Sequence, residues 1–333
     1  MKSKRSLSGL YDAGIGDKSM KKPLIVLTGP TAVGKTELSI KLAAQIGGEI
    51  ISADSMQVYK GMDIGSAKIT PEQQHGIPHY LIDVCEPWEE FHIVKFQEYA
   101  KQYMQDIYAH GHIPILTGGT GFYIQAVLYD IDFTGQDKDE GYRKKLEKLA
   151  EESGNECLHQ MLCEVDPKAA QQIHANNKKR VIRALEFYHT TGKRISEHNE
   201  NQQQRISPYN FLYLVLSDVR ARLYERIDRR VDVMIENGLV QEVQGLKDLG
   251  CSRNMVSMQG LGYKEILDYL DGNHTLDEAV TIIKRDTRHF AKRQITWFKR
   301  EREVTWVNKP DFDYDEERML AYIMEELEKR SII

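Results

Sequence analysis

The sequence predicts an α/β fold: a parallel sheet with helices on both faces, interrupted by an all-helical insertion. Three observations predict it. Short β-branched apolar runs alternate with stretches of helical spacing along most of the chain, as expected of strands covered on both sides. The first run leads into a glycine-rich loop that opens a helix. From about residue 132 to 207 no strand pattern occurs, while four helical patterns follow one another.

Composition sets the outer limits. With 333 residues, 41% of them hydrophobic, the chain can bury the core of one large domain and carry an insert. A net charge of -5 excludes a protein that is basic all over, so any nucleic-acid surface must be local. Cys85, Cys157, Cys163 and Cys251 contain no C-x-x-C pair and read as reduced thiols, which speaks against a structural zinc module. No run approaches the ~18 apolar residues of a membrane span. Residues 1–22 lack the apolar segment of a signal peptide and read as a disordered extension, so the expected compartment is the cytoplasm.

The first strand is Leu24 to Thr28. Gly29, Pro30, Thr31, Ala32, Val33, Gly34, Lys35 and Thr36 then fit the phosphate-loop pattern G-x-x-x-x-G-K-S/T, and Glu37 onward continues with helical spacing. The fold is therefore P-loop NTPase-like. Backbone N–H groups of such a loop, with the positive end of the helix behind it, bind anions. Lys35 adds a full charge for terminal phosphate oxygens, and the Thr36 hydroxyl suits a magnesium ion. Thr31, Lys35 and Thr36 enter the candidate catalytic set.

The second strand, Glu49 to Ala53, ends at Asp54, which faces the phosphate-loop edge where open α/β sheets bind ligands. Asp-Ser after a strand equally fits a helix cap. A third strand is expected over His79–Val84, then a helix from His92 to Ala109 with Val94, Tyr99, Tyr103 and Ile107 inward. The strand Ile113–Thr117 runs into Gly118-Gly119-Thr120-Gly121, whose glycines permit close backbone approach to a ligand and whose Thr120 offers a hydroxyl; a plain turn would fit as well.

The core is thus divided into 23–131 and 208–310 by an insertion over 132–207. The insertion's helices are expected at Tyr142–Glu152, Cys157–Glu164, Pro167–His174 and Lys178–Thr190, flanked by polar stretches at Asp137–Glu140 and Asn199–Gln204. The second core segment opens with the strand Phe211–Leu216. Helices follow over Ala221–Asn237, Val240–Leu249, Tyr263–Tyr269 and Leu276 to about Arg300, then a short strand Val304–Val307. The tail, 311–333, is rich in Asp and Glu and reads as a solvated helix.

The helix from Leu276 carries a charge pattern of its own. At 100° per residue, Arg285, Arg288, Lys292 and Lys299 fall within roughly 60°, opposite Ala279, Ile283, Phe290 and Trp297. Between Lys284 and Arg302 eight Lys or Arg stand against two acids in a chain that is acidic overall. Phosphate backbones bind such stripes, whereas solvated faces usually mix both signs.

The phosphate loop, Ser52–Tyr59, Gly61–Lys68, Gly118–Gly121 and Ala291–Phe298 together resemble the tRNA dimethylallyltransferase family, in motifs spread from about Pro23 to Val307. The resemblance implies transfer of a dimethylallyl group from dimethylallyl diphosphate to N6 of an adenine adjacent to the anticodon of tRNA, with Mg2+ as cofactor and Asp54 as base. It implies a diphosphate site at Gly29–Thr36, assisted by Arg220, with Arg222 the alternative register. It implies tRNA contacts at Asp54, Ser55, Met56, Gln57 and Thr120, at Arg143, Asn176, Asn177, Lys178, Lys179 and Arg180 in the insertion, and at Lys292, Arg293, Gln294, Ile295, Thr296, Trp297, Phe298 and Lys299. The partners are then the anticodon arm and the diphosphate donor, with no membrane, and the protein is expected to act as a monomer. Some relatives carry a zinc-binding region near the C-terminus, but no Cys or His follows His289 here. Rival readings are a small-molecule kinase or NTPase, a prenyltransferase acting on free adenine nucleotides, and a non-catalytic RNA-binding protein.

Overall fold

The computed structural model describes residues 21–133 and 140–333. The expected extension therefore lies, apart from Lys21 and Lys22, outside the described residues, as do Asp137, Lys138 and Asp139 of the first polar flank. The chain runs β1 (Pro23–Thr28), α1 (Lys35–Ile46), β2 (Gly48–Ala53), β3 (His79–Tyr80), α2 (Ile93–Ala109), β4 (Ile113–Gly118) and α3 (Gly121–Leu128). Five helices follow: α4 (Glu140–Ser153), α5 (Asn155–Val165), α6 (Pro167–Gln172), α7 (Lys178–Thr191) and α8 (Ile195–Gln203). The remainder is β5 (Asn210–Ser217), α9 (Arg220–Glu236), α10 (Leu239–Asp248), α11 (Tyr263–Leu270), α12 (Leu276–Phe298), β6 (Val304–Asn308) and α13 (Glu316–Lys329).

The six strands form one sheet in the order β3-β2-β4-β1-β5-β6, and every pair is parallel. β1 sits in the interior between β4 and β5, so its alternate residues supply two cores. Leu24 and Val26 join one buried cluster with α2, α3 and α10–α12, while Ile25 and Leu27 join another with α1, α9 and α13. Parallel pairing sends the carboxyl ends of β1, β2 and β4 to one edge. There Leu27 pairs with Thr117, Ser52 with the same Thr117, and Ala53 with Gly118. The loops after these three strands thus meet by construction.

Four expectations are corrected. The third strand ends at Tyr80, because Leu81 (φ 63°) and Asp83 (φ 56°) occupy the left-handed region and break the pleat; the Asp83 carboxylate instead pairs with Lys68 at 2.6 Å. The inner face of α2 is Phe96, Ala100, Met104 and Ile107, with Tyr99 exposed, because the aromatics pack beside one another along the helix flank. The second polar flank belongs to α8: the Ser196 backbone and hydroxyl donate to the buried Asp166 carboxylate (2.9 and 2.7 Å), and that tertiary anchor gives an Asn/Gln-rich segment a helix its own pattern does not show. The acidic tail is not a solvated helix. Met319, Leu320, Ile323 and Leu327 share one face of α13 and are buried against α1, while the acids point outward.

Helices α4–α7 enclose a separate core of Leu146, Leu158, Leu162, Val181, Ile182 and Leu185. Asp166 closes it by capping α6 through the Ala169 N–H (3.0 Å).

The docking of α13 has a measurable consequence. Ile323 is fully buried, so Ile323→Ala should destabilise the protein by about 2–5 kcal/mol in urea unfolding, whereas a change on a solvated helix stays within ~0.5 kcal/mol.

Candidate active site

The loop between β1 and α1 is shaped by backbone conformation before any side chain acts. Gly34 has φ 100°, which carries the chain into the first turn of α1 with its N–H groups facing inward, and a Cβ there would stand 3.0 Å from the Lys309 ammonium. The outward carbonyls are taken up by cations. Lys35 donates to the Gly29 and Pro30 carbonyls (3.0 and 2.9 Å), Lys309 to that of Val33 (3.1 Å), and Arg226 to that of Ala32 (2.8 Å). Arg230 reaches the Thr31 hydroxyl at 3.5 Å.

A cleft of about 290 Å³ lies over this loop, lined by Thr31, Lys35 and Thr36, by Asp54 and Gln57, and by Gly118 and Gly119. Arg226, Arg230 and Phe290 complete its far wall. Burial, and then repulsion from Arg230, lower the Lys35 pKa to about 8 against the opposing pull of Asp54. Burial likewise lowers Lys309 and Arg230, each further depressed by Arg226. Cations crowded into partly dry surroundings with few counter-charges await a polyanion.

Arg226 and Arg230 were not anticipated. They stand four residues apart on α9, a face that also carries Arg222, so a scan for arginines at helical spacing would have found them. Arg220 does not line the cleft: it lies about 240° around the helix from Arg226. Arg222 is engaged elsewhere, stacked 3.8 Å over Tyr314 and paired with Asp218.

Asp54 caps its own turn and also faces the cleft. Oδ1 accepts from the Met56 N–H (2.8 Å), holding the turn after β2, while Oδ2 accepts no hydrogen bond among the described residues and Asp54 lines the cleft. Gln57 is fixed by the Ser52 hydroxyl at 2.9 Å. Ser55 donates its N–H to the Thr120 hydroxyl at 3.3 Å, which ties the β2 and β4 turns together. The following segment, Gly61–Lys68, is pinned by a residue that no local motif singles out. The Glu242 carboxylate accepts from the N–H groups of Asp63, Ile64 and Gly65 (2.9, 2.7 and 3.1 Å).

Gly119 and Gly121 are required by packing within the protein, and Gly118 and Gly119 also line the cleft. A Cβ on Gly119 would meet Gln294 at 2.2 Å, and one on Gly121 would meet the Trp297 indole at 2.2 Å. Gln294 is buried and bridges two turns: its Oε1 accepts from the Thr31 N–H (2.9 Å) and its Nε2 donates to the Gly119 carbonyl (3.0 Å). It is buried, not exposed, and ties the two turns together at the cleft wall. Phe298 is also withdrawn from solvent, in the core, because the buried face of α12 drifts from Ala279 and Ile283 to Ala291, Gln294 and Phe298. That drift releases Phe290 to the cleft and leaves Trp297 over Phe122, ring centroids 6.3 Å apart. Ile295 packs half-buried on the second core, and the Thr296 hydroxyl returns to the Lys292 carbonyl.

The basic stripe divides by position. Lys284 and Arg288 pair with Asp232 and Asp228 of α9 at 2.5 Å each, and Arg285 pairs with Asp286. Lys292, Arg293 and Lys299 are exposed and form no salt bridge among the described residues. In the insertion, Asn176, Asn177, Lys179 and Arg180 lie exposed at the N-terminus of α7 beside half-buried Lys178, whereas Arg143 is held by Glu147 and Glu186 at 3.4 and 3.6 Å.

Comparison with known proteins places this geometry in a lineage. The model of a family described as IPP transferase matches residues 57–301, and one described as isopentenyl transferase matches 22–86. A tRNA dimethylallyltransferase of Lachnoclostridium phytofermentans is 60% identical over 294 residues, 88% of this chain and 94% of the relative. The chain belongs to the tRNA dimethylallyltransferase family. Among solved structures of the family, the full-length tRNA isopentenylpyrophosphate transferase of Bacillus halodurans superposes with a TM-score of 0.70 at 46% identity, covering 93% of this chain and 98% of its own. A eukaryotic dimethylallyltransferase caught acting on tRNA gives a TM-score of 0.76 at 32% identity, over 86% and 74% of the two chains.

The depressed Lys35 pKa fixes the sign of a pH effect. Below about pH 8 the ammonium is charged and binds anions; above it the charge is lost. Affinity for inorganic pyrophosphate should therefore fall as pH rises through about 8, and Lys35→Met should bind weakly with a flatter profile between pH 7 and 9.5 by titration calorimetry. Stability runs the other way: the charged lysine costs stability below about pH 8, and that cost fades as pH climbs toward the unfolded value of 10.5.

Proposed function

We propose that this protein transfers the dimethylallyl group of dimethylallyl diphosphate to the exocyclic N6 of an adenine adjacent to the anticodon of tRNA. One observation carries the reading: a diphosphate-sized cationic cradle and the Asp54 carboxylate face the same cleft. The relatives' names supply the donor and the tRNA. We infer from a tRNA substrate that the protein acts in the cytoplasm.

In this reaction the allylic C–O bond breaks with its electron pair leaving on the diphosphate, N6 bonds to the allylic carbon, and one amine proton departs. Negative charge grows on the leaving group, where the loop N–H groups, Lys35, Arg226 and Arg230 stabilise it. Thr36, exposed on the cleft wall, offers the hard oxygen donor suited to a magnesium ion, which when bound neutralises further diphosphate charge. Asp54 Oδ2 accepts the amine proton while Oδ1 stays on the Met56 N–H, so the base is held in place by its own turn. Thr31 is positioned by Gln294 and presents its hydroxyl to Arg230 at the cleft wall. Lys292, Arg293 and Lys299 meet the phosphate backbone, with Lys178, Lys179 and Arg180 of the insertion as a second contact region.

Asp54→Asn retains an oxygen for the Met56 N–H but cannot accept the proton. Single-turnover transfer with both substrates saturating should slow by ~10²–10⁴-fold while binding of donor and tRNA changes little. Near-normal rates would leave Asp54 as a turn cap only. Parallel assays of transfer to AMP and of ATP hydrolysis should both be negative; ATP turnover would restore the kinase or NTPase reading.

The electrostatic footprint is separately measurable. Replacing Lys292 and Lys299 together by Ala should reduce the slope of log tRNA affinity against log salt by about two units, at ~0.9 per phosphate contact. An unchanged slope would move the RNA off α12.

A further inference from the structure

At the sheet edge away from the cleft, a buried carboxylate faces two imidazoles. Glu49, second residue of β2, is 2% exposed. Its Oε2 accepts from the Tyr80 hydroxyl (2.5 Å), and its Oε1 faces Nδ1 of both His112 (2.5 Å) and His110 (3.3 Å). His110 ends α2 and His112 precedes β4, with Gly111 (φ 79°) turning the chain between them so that both rings reach one oxygen. Burial raises the Glu49 carboxyl, yet hydrogen bonds from Tyr80, His112 and His110 outweigh it and hold the group below its ordinary range. The acid is therefore kept as a carboxylate in a place where a lone charge would be costly.

We propose that Glu49, His110 and His112 form a binding site for one divalent transition cation, zinc being the best fit. The three ligand atoms lie within 4.8 Å of one another. Nitrogen and oxygen ligands ~2.0–2.1 Å from a tetrahedral zinc stand roughly 3.3 Å apart, the separation His110 Nδ1 and Glu49 Oε1 already have. His112 needs to open by less than an ångström, and both rings are half-exposed outside the helix and strand, which leaves the fourth position to water. Two imidazoles and one carboxylate favour zinc, cobalt or nickel over magnesium, so the site does not compete for the ion expected at Thr36. Tyr80 fixes the second carboxylate oxygen, the outer-shell support that ligating carboxylates use. The site lies four residues along β2 from Ala53 and joins the end of α2 to β2 and β4. Its role is to brace the sheet rather than to act in transfer. The absence of C-x-x-C spacing does not bear on it, because it contains no cysteine.

The test uses the full chain stripped of metal by chelation and returned to buffer with excess magnesium. Titration with zinc by calorimetry, and with cobalt followed by its visible absorption, should show one saturable equivalent and a raised unfolding temperature. His110→Ala and His112→Ala should each weaken binding by at least about tenfold, and Tyr80→Phe by ~10–100-fold. Transfer activity of the unmetallated His variants should match that of the unmetallated parent. Absence of saturable binding in the parent, or binding undiminished in both His variants, would overturn the site.

Discussion

Three cations of the candidate site are anchored to carbonyls of one loop, and the geometry around them follows from that constraint. Lys35, Arg226 and Lys309 donate to the carbonyls of Gly29, Pro30, Ala32 and Val33. Two N–H groups of the same loop are also satisfied within the protein, that of Thr31 by Gln294 and that of Val33 by the Pro30 carbonyl (3.4 Å), so the loop's shape and its cations are fixed together before any anion arrives. The arrangement is electrostatically tense, as the lowered Lys35, Lys309 and Arg230 show, and a polyanion bound there would relieve it. Preorganisation of this kind is worth most where charge develops late in a reaction.

A second link joins that anion site to the turns beside it. Gln294 ties Thr31 of the loop to Gly119, Thr120 ties the same turn to Ser55, and Asp54 is held by Met56 one residue further on. The cationic loop and the Asp54 carboxylate thus share one hydrogen-bonded frame. α12 supplies the link on its buried side and offers Lys292, Arg293 and Lys299 on its exposed side, so a shift of that helix would be felt at both places. Ion pairs from Lys284 and Arg288 to α9 hold its first half in place, and α9 carries Arg226 and Arg230.

The peripheral parts obey simpler rules. The insertion has its own core and a buried Asp166 satisfied by Ser196 and Ala169, which lets a polar segment fold there. α13 covers the outer face of α1 with four apolar side chains and keeps its acids in water. The acidic overall charge of the chain and the basic face of α12 coexist because the acids are distributed over such solvated faces.

Sequence by itself determined the elements whose physics is local or strictly periodic. The phosphate loop was legible because Gly34 must adopt a left-handed conformation and Lys35-Thr36 must follow at fixed spacing; Asp54 was legible because it ends a strand on the same edge. Buried parallel strands and the long amphipathic helices likewise declare themselves through apolar runs and 3.6-residue spacing. Tertiary structure decided whatever depended on a partner distant in the chain. Gln294 reads as a surface amide until the 2.9 Å contact with Thr31, 263 residues away, shows it to be a buried brace. Arg226 and Arg230 acquire meaning only when β5 sets α9 beside β1, and Glu242 only when three N–H groups of the Gly61–Lys68 turn close on its carboxylate. The residue after Tyr80 could not be read as the end of a strand, since its left-handed backbone is imposed by surroundings rather than by its own side chain. Spacing fixes what neighbours along the chain can do, while burial and charge balance are set by whichever atoms the fold brings next to them.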